Sequence, residues 1–426
     1  MSQAWLSYDD APPIWLPASF FGAAMLWLLA LGGLLLPAGM LAANRYHPQL
    51  LALTHVLALG VLGNIMAGAL LQMLAVASAV AARRAGRLLL GIFLPWQLGT
   101  TLLVGGFLHG FSPLALQAAA VLLGAAILRL AWHGLHGLAH SPARDASSRG
   151  MALALLGLLV AAALGLCLVL TLSGRLALPW LPLLHSHVLW AAMGWLLLLM
   201  LAVSQTVIPL FLITPPYPAW MLSTARSVLI LLLGCSLALL FWPAQLWLPA
   251  SLLLIPVLLY AVQSWQLLRQ SRRPADPLWW QWQAVLACLL LGCVAAWLCA
   301  GWTIWPSLPL LAGLWWLGGA GLGATLAMLG KILPFLAWLH LKRLNPPRGL
   351  LPSTHGFLPE SAQLRLRHLH LLWLLAGTLW CWQPARFHLL FALATLALAA
   401  YALWLGGNIA QRYQAVRRAL PAAAAR

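Results

Sequence analysis

The sequence contains very few charged residues. Only 7% of its 426 residues are Asp, Glu, Lys or Arg, whereas 63% are hydrophobic; a soluble globular protein has roughly 25% charged residues. A chain of this composition cannot cover its surface with polar groups, which excludes a soluble enzyme or a nucleic-acid-binding protein. There is also no long polar or Pro/Ser-rich stretch that would form a separate soluble domain. The sequence therefore predicts a single integral membrane domain over residues 1–426.

Acidic residues are the scarcest charged type. There are five of them against 23 Lys and Arg, which gives a net charge of +18. None of the five falls inside a predicted membrane segment, so the acidic relay groups typical of ion pumps are missing. The six cysteines lie in apolar segments without CxxC spacing, which predicts buried thiols and no disulfide or zinc site.

Long hydrophobic runs predict an all-α polytopic membrane protein. About 20 apolar residues are needed to cross the hydrocarbon core, and twelve segments meet or approach this length. They lie near residues 18–40, 50–76, 88–110, 113–133, 151–172, 186–208, 226–242, 247–268, 279–300, 308–332, 368–383 and 387–408.

Basic residues differ strongly between alternate loops. The loops after even-numbered segments contain eighteen Lys and Arg, whereas the opposite loops contain only Arg45, Arg175 and Arg386. Because Lys and Arg collect in cytoplasmic loops, this distribution predicts both termini in the cytoplasm and a place in a bacterial inner membrane.

The thirteen histidines fall into two layers along the membrane normal. The outer layer contains His47, His55, His109, His185, His187 and His388; the inner layer contains His133, His136, His140, His340, His355, His368 and His370. Most inner histidines neighbour arginines and loop residues, which favours an interfacial role. His55 and His187 instead lie a few residues inside long apolar segments. An imidazole at that depth is costly unless it is paired or binds something.

An internal repeat connects the second, sixth and tenth segments. His55 precedes Gln72 by 17 residues and His187 precedes Gln205 by 18, about 26 Å of helix in each case. In the tenth segment the residue 18 positions before Lys331 is Gly313. The second and sixth helices are therefore predicted to place an imidazole near one membrane surface and an amide near the other, whereas the tenth lacks the imidazole.

Twelve helices in three sets of four, with histidines on equivalent helices, resemble the heme-copper oxidase catalytic subunit superfamily. The residue-specific likeness is confined to helices two, six and ten. It lies in Thr54-His-Val-Leu-Ala-Leu-Gly60, His185-Ser-His-Val-Leu-Trp-Ala-Ala-Met-Gly194, Ser204-Gln-Thr-Val-Ile-Pro-Leu-Phe211 and Lys331-Ile-Leu-Pro-Phe-Leu-Ala-Trp-Leu-His340. These stretches are similar to a divergent bacterial branch of oxidase-like membrane proteins.

The resemblance implies cofactors as well as a fold. In that superfamily a histidine on helix two ligates low-spin heme and one on helix six ligates copper, which transfers to His55 and to His187, with His185 as the alternative copper ligand. His109 and His388 are further outer-layer candidates. Heme b and copper are the expected cofactors. His185 and His187 can converge on one ion only if His185 precedes the helix, because residues two apart on a helix point in different directions.

The sequence also departs from the oxidase pattern. Segment 226–242 and the outer half of segment 308–332 contain no histidine, so most ligands of an oxygen-reducing centre are missing. Oxygen reduction by the oxidase mechanism is therefore not expected. The resemblance is still compatible with a role in binding nitric oxide or another respiratory small ligand. Subunits of the respiratory chain are then the expected protein partners.

Other interpretations remain open at this stage. The two histidines could hydrogen-bond across a packed interface. The chain could be a heme or copper transfer or assembly factor, or a permease without a metal. Lys331 is expected to extend to the membrane surface. Gly60, Gly63 and Gly68 would allow a flat macrocycle or another helix to approach. His133, His136 and His140 share a helix face and form a weaker metal candidate.

Overall fold

Thirteen helices account for the regular secondary structure of the described chain. The computed structural model describes residues 11–37, 45–82, 84–242, 247–302, 305–344, 346–347 and 349–424. The helices are α1 (Trp15–Leu35), α2 (Pro48–Ser78), α3 (Ala85–Leu108), α4 (Pro113–His140), α5 (Ala146–Leu172), α6 (Trp180–Leu212), α7 (Met221–Phe241), α8 (Trp247–Arg269), α9 (Pro277–Gly301), α10 (Leu308–Lys342), α11 (Thr354–Phe357), α12 (Glu360–Trp382) and α13 (Pro384–Ala424).

Eleven of these helices are long and apolar enough to cross a membrane. The chain is therefore a polytopic membrane protein. Each of the twelve predicted segments lies on one of the long helices, although residues 38–40 of the first fall outside the described residues. Of the other two helices, α11 has only four residues, and α12 does not reach the required hydropathy because Glu360, Arg365 and Arg367 lie in its first turns. Its apolar second half contains the predicted segment 368–383.

Helix starts follow simple local rules. Pro48, Pro113, Pro277 and Pro384 are the first residues of α2, α4, α9 and α13. At this position the missing N–H of proline costs nothing, since the first amides of a helix have no partner within it. Capping side chains add to this at α5, where Asp145 accepts a hydrogen bond from the Ser148 amide at 2.9 Å.

The twelve long helices form a closed ring in which one packing pattern occurs three times. Within each of the sets α1–α4, α5–α8, and α9, α10, α12 and α13, the first helix packs on the second, the second on the third and the third on the fourth. The fourth helix of each set packs on the first of the next, and α13 closes the ring on α1. The second helices of the sets, α2, α6 and α10, meet at the centre. This arrangement fits the three four-helix sets predicted from the sequence.

The three central helices share a wide π-helical segment. It covers Val56–Gly63 in α2, Trp190–Leu197 in α6 and Leu314–Leu322 in α10. The segments begin one, three and one residues after His55, His187 and Gly313. Gln72, Gln205 and Lys331 follow their ends by nine, eight and nine residues. The structure therefore aligns the same positions that the internal repeat of the sequence aligned, and π-helical turns are frequent at functional sites.

A buried ion pair joins α9 to α10. Lys331 Nζ lies 2.8 Å from Asp276 Oδ2, and the two side chains are 11% and 6% exposed. Asp276 also caps α9, because its Oδ1 accepts a hydrogen bond from the Leu278 amide at 2.9 Å. The sequence analysis did not predict this partner: a carboxylate 55 positions away in the sequence, at the inner end of α9, pairs with the ammonium group.

Helices α5 and α6 approach each other closely at Gly157. A Cβ atom built on this residue would collide with the carbonyl oxygen of Gly194. Backbone cannot move aside as a flexible side chain can, so this contact requires a glycine at position 157.

We expect Gly157→Ala to lower the free energy of unfolding by about 1–3 kcal/mol or more, because the added methyl group overpacks the α5–α6 contact. Thermal unfolding of the purified protein in detergent measures the effect. Gly234→Ala in α7 is the matched control, since a Cβ there meets nothing within 4 Å, and alanine is the better helix former. Equal melting temperatures for the two variants would show that α5 and α6 are not in close contact.

Candidate functional site

A large cavity opens between the helices at the end of the bundle where α2 and α6 begin. We call this end the outer end, and the cavity the outer cavity. Its volume is about 910 Å³, and all twelve long helices contribute to its wall. The wall is almost entirely apolar. Its polar and soft-ligand side chains include Arg45, Tyr46, Thr54, His55, Met66, His185, His187, Met193, Cys293, Cys299 and Cys381. Cofactor and ligand pockets are typically 300–1,000 Å³ and mostly apolar.

His55 lies at the start of the π-helical segment of α2 and lines the outer cavity. Its Nδ1 donates a hydrogen bond to the carbonyl oxygen of Leu51, one turn earlier, at 2.8 Å. The Phe107 ring of α3 packs against the imidazole with a centroid distance of 5.1 Å. These contacts fix the ring orientation and the protonated nitrogen.

His187 lies in the equivalent part of α6 and lines the same cavity. Its Nδ1 donates a hydrogen bond to the carbonyl oxygen of Ala161 in α5 at 2.9 Å. Gly165, one turn further along α5, leaves room for the ring: a Cβ there would lie 3.1 Å from the imidazole Cε1. The neighbouring helix therefore positions this histidine.

The two imidazoles have the same hydrogen-bond arrangement. Because Nδ1 of each ring donates to a carbonyl, Nε2 keeps its lone pair, and neither Nε2 has a hydrogen-bond partner among the described residues. A histidine that binds a metal commonly fixes its other nitrogen on a backbone carbonyl in this manner. His187 thus hydrogen-bonds across the α5–α6 interface, as the alternative interpretation expected, whereas His55 hydrogen-bonds within its own helix.

The remaining predicted ligands occupy different places. His185 lines the outer cavity too, but α6 begins at Trp180. It therefore lies within the helix and does not adopt the geometry that would bring it and His187 onto one ion. His109 is exposed at the end of α3, where its Nδ1 donates to the Gly105 carbonyl at 2.8 Å, and it is not part of the cavity wall. His388 is half-buried and also lies outside the wall.

The glycines of α2 are already filled by neighbouring helices. A Cβ on Gly60 would lie 2.7 Å from the Trp27 ring, one on Gly63 would lie 2.6 Å from the Trp96 ring, and one on Gly68 would meet Phe20 at 2.8 Å. Of the two roles predicted for these positions, the close approach of another helix is the one seen. A macrocycle would have to bind elsewhere in the cavity.

The inner histidines are more varied than predicted. His136 and His140 are exposed, with ring centroids 4.4 Å apart. Among the described residues no group of three or more His, Cys, Asp or Glu is placed to hold an ion.

His370 was predicted to be interfacial, but it is only 1% exposed. Its Nε2 donates to the Gly318 carbonyl at 2.9 Å, and its Nδ1 accepts from the Gln281 amide at 3.0 Å. Both nitrogens are used, so His370 connects α9, α10 and α12 and has no nitrogen left to act as a ligand.

Sequence reasoning missed several residues of the wall. The sequence identifies Arg45 only as one of three outer arginines, and the residues next to it in the sequence do not indicate a cavity. Trp316 and Trp380 also line the cavity, and both indole N–H groups lack an acceptor in the described structure. The sequence contains 25 tryptophans, and tryptophan is common near membrane surfaces. Nothing in the sequence therefore distinguishes these two from the others.

Neither the models of known protein families nor the curated protein sequences contain a match to this chain.

Proposed function

We propose that this membrane protein binds a b-type heme in the outer cavity and uses His55 and His187 as its ligands, with copper at His187 as the second candidate. The observation that carries the proposal is the pair of imidazoles on one cavity wall, each with Nδ1 fixed on a carbonyl. Neutral imidazole suits both heme iron and copper.

The number of available ligands favours heme over a bare ion. A protein-bound metal ion usually needs three or more side-chain ligands. The described part of the chain contains no group of three or more His, Cys, Asp or Glu placed to hold an ion. Heme iron receives four nitrogens from its macrocycle, so one or two histidines complete the site. The outer cavity has an apolar wall and a volume of about 910 Å³. These properties suit a large flat cofactor better than a hydrated ion.

The threefold packing pattern supports kinship with the heme-copper oxidase superfamily. Likeness of architecture does not by itself give a reaction. The function that fits a heme with few other ligands is the binding of nitric oxide or another small respiratory ligand in a bacterial inner membrane. Loop charges support cytoplasmic termini.

Copper transfer or assembly of a respiratory complex is the second candidate. It is favoured by Met66 and Met193, which line the same cavity as His187. Thioether and imidazole groups together suit copper, particularly Cu(I).

The test is the reduced-minus-oxidised optical spectrum of protein purified in detergent after expression with both heme and copper available, together with metal analysis. A Soret band and about one iron per chain support the proposal. Copper that is bound reversibly without heme supports the transfer factor. A protein that contains neither contradicts both, and leaves a permease without a metal.

A further inference from the structure

Among the described residues of the outer cavity wall, Arg45 is the one formally charged side chain. It precedes α2 at the outer end, where it is exposed. The guanidinium group stacks over the Tyr46 ring, with Cζ 4.9 Å from the ring centroid.

Among the described residues, no carboxylate forms an ion pair with Arg45. The outer connections, residues 36–47, 109–112, 173–179, 242–246, 302–307 and 383, contain no Asp or Glu. Asp145 and Asp276 cap α5 and α9 at the opposite end, and Glu360 begins α12 there.

Two buried donors point to the same kind of ligand. The indole N–H groups of Trp316 and Trp380 have no acceptor in the described structure, although both side chains are more than nine-tenths buried and line the cavity. A buried donor without a partner costs about 1–3 kcal/mol. The wall thus supplies donors and a cation but no anion, which is the pattern expected around a ligand with acidic oxygen atoms.

We propose that Arg45 binds a propionate carboxylate of the heme, so that the acidic edge of the macrocycle lies at the outer mouth of the cavity. This inference rests on the proposed heme binding. Guanidinium and carboxylate form paired, charge-assisted hydrogen bonds. The ligand class is then a porphyrin with free carboxylates, and a neutral porphyrin would lose this contact.

Titration of heme-free protein in detergent with hemin and with hemin dimethyl ester tests the inference. The ester has the same ring and iron but no carboxylate. We expect Arg45→Ala to weaken hemin binding about 10- to 100-fold and to leave binding of the ester within about twofold of the unchanged protein. Arg175→Ala is the matched control, because Arg175 is an exposed outer arginine like Arg45 but lies outside the cavity wall.

The outcomes separate the two proposals. If the unchanged protein binds hemin and Arg45→Ala weakens hemin and ester equally, or weakens neither, the Arg45 contact is wrong while heme binding stands. If the unchanged protein binds neither compound, heme binding itself is wrong and the Arg45 contact falls with it.

Discussion

Replacement of His55 by alanine is expected to remove most of the bound heme, and His187→Ala is expected to remove most of it or to shift the Soret band. Loss of a group that merely orients a metal ligand commonly costs 10–100-fold in affinity. Loss of the ligand itself should therefore cost at least about 100-fold. Heme content per chain and the Soret band of purified variants measure the effect.

His109→Ala is the control for this pair. Like His55, His109 donates from Nδ1 to a carbonyl four residues earlier at 2.8 Å, but its side chain is exposed and outside the cavity wall. Its loss should leave heme content unchanged. An undiminished Soret band in the His55→Ala and His187→Ala variants would remove the basis for the proposed site.

Replacement of Lys331 by methionine is expected to cost about 3–5 kcal/mol of unfolding free energy, the largest stability effect among these variants. The change leaves Asp276 as a buried carboxylate without its cation, and an uncompensated charge of this kind is strongly destabilising. Thermal or denaturant unfolding in detergent measures the loss.

The double variant Lys331→Met with Asp276→Asn should recover most of that stability. Asparagine keeps a side-chain oxygen that can cap α9, and it carries no unpaired charge. Asp145→Asn is the matched control: Asp145 caps α5 without a cation in ion-pair contact among the described residues, and its loss should cost about 1 kcal/mol or less. A Lys331→Met variant as stable as the unchanged protein would show that the ammonium group is solvated.

The helices and their order were predictable because hydropathy is read along the chain. The predicted segments 247–268 and 279–300 correspond within two residues to α8 (Trp247–Arg269) and α9 (Pro277–Gly301). The larger errors occur where a helix continues past its apolar part. One example is α10, which extends ten residues beyond the predicted end at 332, because His340 and Lys342 are compatible with a helix at the membrane surface.

The candidate site was predictable only in part. His55 and His187 could be distinguished among the thirteen histidines because they lie deep in apolar segments and precede a glutamine by 17 and 18 residues. Their hydrogen-bond partners differ in kind. The Leu51 carbonyl is one turn from His55, whereas the Ala161 carbonyl belongs to another helix. Only the helix packing reveals the second contact.

Long-range contacts account for what the sequence did not predict. Lys331 and Asp276 are 55 residues apart, and His370 and Gln281 are 89 apart. No local pattern marks either pair. The same holds for Arg45, which reaches the cavity because α2 begins beside it.

The π-helical segments change how side chains above and below them are oriented. A residue in a π-helix advances the chain by a smaller rotation than the ~100° of an α-helix, and the difference accumulates over the eight residues Val56–Gly63. A helical wheel drawn through α2 at α-helical pitch therefore assigns His55 and Gln72 to false relative faces. Removal of one residue from the segment would restore the ordinary pitch and swing the imidazole sideways, with almost no change in the length or hydropathy of the span.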